Sequence, residues 1–118
     1  MTQGCPVERS LKIIGGKWTI LIVHNLLGGA KRFGELRSAL GGVSSKMLAQ
    51  RLRELERDGI VKRHLYPEVP LRVEYELTEK GLALQGVVEA IRQWGEKQPP
   101  VLDPLPAVAV VTLAEVHQ

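Results

Sequence analysis

Apolar residues recur at helical spacing through the first half of the chain, and paired glycines interrupt them. Val7, Leu11 and Ile14 share one face of a predicted opening helix, Pro6–Ile14. Pro6 suits its first position, where an amide would have no partner within the helix in any case. After Gly15-Gly16, a second helix over residues 17–27 is predicted to bury Trp18, Leu21, Ile22 and Leu26, and Gly28-Gly29 end it. A third, Phe33–Leu40, buries Phe33, Leu36 and Leu40, and Gly41-Gly42 supply a tight connection.

Ser44 then offers a hydroxyl to the unpaired amides of a fourth helix that runs to about residue 57. Leu48, Leu52 and Leu55 point inward, Val43 and Leu48 are spaced for a hydrophobic staple, and Gly59 stops the helix. Two helices joined by a short glycine-containing turn are what a helix-turn-helix requires.

Beyond Gly59 the period changes to two: Val61 and Leu65, then Leu71, Val73, Tyr75 and Leu77. Pro67-Glu68-Val69-Pro70 cannot continue a ladder, because proline has no amide to donate, so these strands form a two-stranded hairpin, or wing. Thr78 caps a predicted long helix reaching about residue 97, with Leu82, Leu84, Val87, Val88, Ile91 and Trp94. Four prolines from Pro99 to Pro106 end the pattern, and the apolar run at 107–111 reads as a strand, an arm across a partner or a mobile tail. The expected division is residues 1–98 as one domain and 99–118 as a proline-rich tail.

Charge changes the picture. Over the whole chain the formal net charge is only +3, but residues 31–72 hold ten basic and five acidic side chains, so that stretch alone carries +5. A polyanion is drawn to the middle of the chain, unless that stretch is simply a solvated face. Turning 100° per residue from Leu48 brings Lys46, Gln50, Arg53 and Arg57 within about 40° of the opposite direction. Lysine, arginine and glutamine there match the acceptors and donors that base edges present in the major groove. Ser45, Lys46, Gln50 and Arg53 are the candidates for groove contacts. Arg57, Lys31, Arg32 and Arg37 are the candidates for phosphates, and Arg72 in the wing, beside Lys62, His64 and Tyr66, is a further candidate for the duplex.

Other functions fit less well. His24, His64 and His117 are scattered, no Cys/His ligand spacing for a metal exists, and the glycines near Lys31 are not a phosphate loop. The expectation is therefore not an enzyme, with no metal and no cofactor. A single cysteine, Cys5, excludes an internal disulfide; with no signal-peptide pattern at the start and no run long enough for a membrane span, a cytoplasmic protein is expected. The rival reading is a winged-helix module that binds another protein without DNA.

The chain also resembles the HxlR-type winged helix-turn-helix regulators over about residues 5–97. The resemblance is carried by Cys5-Pro6-Val7-Glu8, Gly15-Gly16-Lys17-Trp18-Thr19, Arg32-Phe33-Gly34-Glu35-Leu36 and the stretch SSKMLAQRLRELERDG that starts at Ser44. Tyr66-Pro67-Glu68-Val69-Pro70, Arg72-Val73-Glu74-Tyr75 and Leu77-Thr78-Glu79-Lys80-Gly81 complete it. It implies a mainly α, α+β winged helix-turn-helix with flanking N- and C-terminal dimerisation helices. It also implies a homodimer that presents two reading helices to successive major grooves of a pseudo-palindromic double-stranded DNA operator. Val7, Leu11, Val88, Ile91 and Trp94 are the interface candidates, although Ile91 and Trp94 could instead complete the monomer core. Some members of this family sense oxidants or electrophiles through a cysteine near the N-terminus, and Cys5 occupies the matching place. As the expected cap of the first helix, it lies at the positive end of that helix's dipole. Neither the operator nor any small-molecule effector is indicated.

Overall fold

The computed structural model describes residues 4–100. The elements are α1 (Pro6–Ile14), α2 (Lys17–Leu26), β1 (Lys31–Arg32), α3 (Phe33–Leu40), α4 (Ser45–Arg57), β2 (Val61–Tyr66), β3 (Arg72–Leu77), α5 (Glu79–Leu82) and α6 (Gln85–Glu96). The order is that of a winged helix: a helical body followed by a hairpin and closing helices.

The core gathers Ile22, Val23 and Leu26 of α2, Leu36 of α3, Val43 before α4, Leu48, Leu52 and Leu55 of α4, Ile60, Val61, Leu77 and Val88. Fully burying a leucine or isoleucine contributes roughly 1.5–3 kcal/mol, so these side chains hold the body together. Helix α2 runs through the middle and touches α3, α4, β3 and α6. That crowding rotates its buried strip from the expected one. Thr19, Ile22, Val23 and Leu26 are buried, while Trp18 and Leu21 are left half-buried at its edge.

Two further expectations are extended or corrected. The two-stranded hairpin forms as expected, and the sheet is larger than it: β1 pairs antiparallel with β3, Lys31 opposite Tyr75 and Arg32 opposite Glu74, giving a three-stranded sheet of order β1-β3-β2. Two residues are too few to show a period, so only pairing with β3 makes Lys31–Arg32 a strand. The wing itself pairs Val61 with Leu77 and Tyr66 with Arg72, with residues 67–71 at the tip. Leu71 lies outside β3, and both it and Leu65 are exposed.

The predicted long closing helix is two helices. Thr78 caps α5, its hydroxyl accepting the Gly81 amide at 3.1 Å, and Ala83 and Leu84 separate α5 from α6. The break falls at Ala83 and Leu84, flanked by Gly81 in α5 and Gly86 in α6. The two segments dock on different partners, α5 on β3 and α6 on α2, and Val88 is drawn into the core by the second contact. Val88 is therefore a core residue of the monomer and leaves the set of interface candidates. No helix among the described residues is long and apolar enough to cross a membrane. The apolar run at 107–111 lies outside the described residues.

Candidate nucleic-acid interface

The turn between α3 and α4 sets the site. Gly41 and Gly42 both take positive φ, 48° and 86°, a region that costs a residue with a Cβ but not glycine, so the chain reverses within residues 41–44. Ser44 then caps α4, its Oγ accepting the Met47 amide at 3.0 Å. Val43, Leu48, Leu52 and Leu55 anchor the inner face of α4 in the core, as the spacing predicts. Rotation about the helix axis is thereby fixed, and Ser45, Lys46, Gln50, Arg53 and Arg57 all come out on the exposed side.

Of the two acidic residues of α4, Glu54 is paired within the helix, whereas Glu56 is exposed with no ion pair among the described residues. Arg51 donates to Glu54 at 2.7 Å and holds its carboxyl below the usual carboxylate range. Gln50 lies at 3.5 Å from the other oxygen of Glu54, a long contact that a better partner displaces. Arg57 pairs with Asp58 at 3.2 Å, which holds its guanidinium in the protonated form even more firmly than usual. Among the described residues Lys46 and Arg53 make no ion pair, so their charge faces outward unanswered.

Lys31, Arg32 and Arg37 come from β1 and α3. The Arg32 backbone amide donates to Glu35 Oε1 at 2.7 Å, which turns that carboxylate onto the first turn of α3. Arg32 and Arg37 are exposed, Lys31 is half-buried, and none of the three enters an ion pair among the described residues.

Arg72 is placed otherwise. It shares a face of the wing with Lys62, His64 and Tyr66, as alternation predicts. Its guanidinium lies 3.9 Å over the Tyr66 ring, donates to Glu68 and to Glu74 at 2.9 Å each, and is held protonated, chiefly by Glu68. Two carboxylates answer one cation, and the Nε is buried with no partner among the described residues. His64 is likewise engaged, at 3.0 Å from Glu76. The signal was present in the sequence: Glu74 lies two strand positions from Arg72, and Glu68 lies across the turn. Only the register shows that both reach it.

At the far ends, Cys5 is the exposed cap residue of α1, with Pro6 behind it and no side-chain cap bond. No residue of α1 is buried: Val7 is 65% and Leu11 59% exposed. On α6, Ile91 is 51% and Trp94 67% exposed, so neither completes the monomer core. Val87, also exposed, was not among the interface candidates although it lies one turn before Ile91 on α6.

Comparison with known proteins agrees with this architecture. The family model described as HxlR-like helix-turn-helix matches residues 13–102. The HTH-type transcriptional regulator YdeP of Bacillus subtilis (strain 168) is 47% identical over 105 residues, spanning 89% of this chain and 82% of that protein. The solved structure of the redox regulator HypR in its oxidized form superposes with a TM-score of 0.79 at 45% identity, covering 82% of this chain and all of that one. The reduced form of the transcriptional regulator YodB from B. subtilis superposes with a TM-score of 0.70 at 43% identity, over 84% of this chain and 98% of that one. From its winged fold, its outward basic helix and these similarities, the chain belongs to the HxlR-like helix-turn-helix family.

Proposed function

We propose that this protein is a dimeric, sequence-specific transcriptional regulator acting in the cytoplasm on a pseudo-palindromic duplex, with both activities carried by residues 1–98. The observation that carries the reading is the outward face of α4, where Ser45, Lys46, Gln50, Arg53 and Arg57 are all exposed and Lys46 and Arg53 are unpaired among the described residues. Ser45, Lys46, Gln50 and Arg53 read base edges, and Arg57, Lys31, Arg32 and Arg37 hold phosphates. Arg72 braces the wing in place of a phosphate contact, because its charge is already met twice over. Val7, Leu11, Ile91 and Trp94 are the apolar surface that a second copy covers.

Selection from random duplexes yields the operator, and a salt titration of its affinity tests the reading. Log affinity should fall steeply and linearly with log salt as counterions are released. A protein adaptor would show no duplex affinity at any salt concentration.

The likeness to a redox regulator supports a second element of the proposal, that the exposed Cys5 thiol responds to oxidants. Two Cys5 thiols, one per protomer, lose two protons and two electrons to an oxidant such as diamide. Its N=N bond is reduced to the hydrazine while one disulfide forms. Operator affinity should change on diamide treatment and return with dithiothreitol, and Cys5→Ser should abolish the change. A Cys5→Ser protein that responds like wild type removes this element and leaves the DNA reading standing.

A further inference from the structure

The segment Leu77-Thr78-Glu79-Lys80-Gly81 lies outside the proposed DNA contacts and makes a set of polar contacts onto residues 58–60, which directly follow the reading helix α4. The last carbonyls of any α-helix lack partners within it. Here α4 first closes on itself, with the Ile60 amide returning to Leu55 O at 2.9 Å and the Gly59 amide to Glu56 O at 3.1 Å. The carbonyls of Asp58, Gly59 and Ile60, in the turn that leads from α4 into β2, are taken by residues from beyond the wing. Lys80 Nζ donates to Asp58 O at 2.9 Å, placing an ammonium at the negative end of the α4 dipole. The Thr78 hydroxyl donates to Gly59 O, with Ile60 O also within 3.2 Å, and the Thr78 amide donates to Ile60 O at 3.0 Å.

Gly81 closes the joint. Its backbone lies on the Ile60 carbonyl so closely that a Cβ there would collide with the oxygen. Only Ala83 and Leu84 then separate α5 from α6, which bears the exposed Ile91 and Trp94. On the other side, α1 leaves a cleft of about 180 Å³ between Ser10, Ile13 and Ile14 and the joint residues Ile60, Lys80 and Leu84. Packing from α1 does not clamp the joint on that side, so the hydrogen bonds act together with the buried Ile60, Leu77 and Gly81 in setting its geometry.

We propose that Thr78, Lys80 and Gly81 are positioning residues that fix the angle between the reading helix α4 and the pairing helix α6, and so fix the half-site separation that the dimer accepts. This rests on the DNA reading above. In a two-fold dimer the distance between the two reading helices is set by how each is held to its own interface helix. A joint that yields lets that distance vary.

The test compares wild type, Lys80→Met and Lys80→Arg by fluorescence anisotropy. The duplexes carry the selected half-sites at their native separation, at separations changed by a few base pairs, or as a single half-site. Lys80 is exposed, so its loss leaves no cavity, and circular dichroism confirms the fold. Lys80→Met should keep wild-type affinity for the single half-site while losing about five- to tenfold of the preference for native separation, and Lys80→Arg should restore it. An unchanged preference in Lys80→Met, or an equal loss on single and paired half-sites, overturns the inference. If wild type binds none of these duplexes, the DNA reading itself has failed first.

Discussion

Arg32→Ala separates phosphate attraction from sequence reading with little disturbance to the fold. Arg32 caps α3 through its backbone amide, which donates to Glu35 and survives the substitution; the side chain is exposed and has no ion-pair partner among the described residues. A dimer loses two phosphate contacts. At about 0.9 per contact, the slope of log affinity against log salt should flatten by about 1.8. Between about 50 and 200 mM salt the wild-type advantage over the variant should therefore shrink by about twelvefold, on operator and random duplex alike. Arg72→Ala is the control: its cation is already paired with Glu68 and Glu74, so the slope should stay at the wild-type value. Anisotropy titrations at four or more salt concentrations give both slopes. A wild-type slope in Arg32→Ala, or a loss confined to the operator, would refute the assignment of Arg32 to a phosphate; a flattened slope in Arg72→Ala would refute the bracing role of the wing arginine.

Gln50→Ala should relax base preference at one position in each half-site by about 1–3 kcal/mol while leaving the salt slope intact, which a repeated selection from random duplexes measures. Removing the cap of the reading helix, in Ser44→Ala, should cost about 1 kcal/mol of stability, read from the shift in urea midpoint at unchanged m-value. Leu52→Ala, at a core position of the same helix, should cost about 2–5 kcal/mol in the same assay. Trp94→Ala should shift the sedimentation profile from dimer toward monomer at micromolar concentration without lowering the helical signal; an unchanged profile would place the interface elsewhere.

Where a local rule governs, the sequence was enough. Ser44 and Thr78 mark helix starts because a side-chain oxygen satisfies an amide two or three residues away, and both caps form as the spacing requires. The glycine pairs after α1, α2 and α3 each hold at least one residue at positive φ, Gly16, Gly29, and both Gly41 and Gly42, where few other residues are tolerated. The outward stripe of α4 follows from three leucines at i, i+4 and i+7, since burying them leaves a rigid helix no freedom to rotate. None of this needs knowledge of distant residues.

What required the tertiary structure involves partners far apart in the chain. Lys31–Arg32 becomes a strand only because Tyr75 and Glu74 offer it an edge. The closing helix divides, with α5 against β3 and α6 against α2, and Val88 of α6 is buried. The Arg72 cation is paired once the hairpin register brings Glu68 and Glu74 to it, and Lys80 gains its place when the chain returns to the end of α4. Helix caps and periodic faces depend on energies between near neighbours, which order along the chain already determines; pairing across a sheet and docking between helices depend on where the folded chain brings remote segments together.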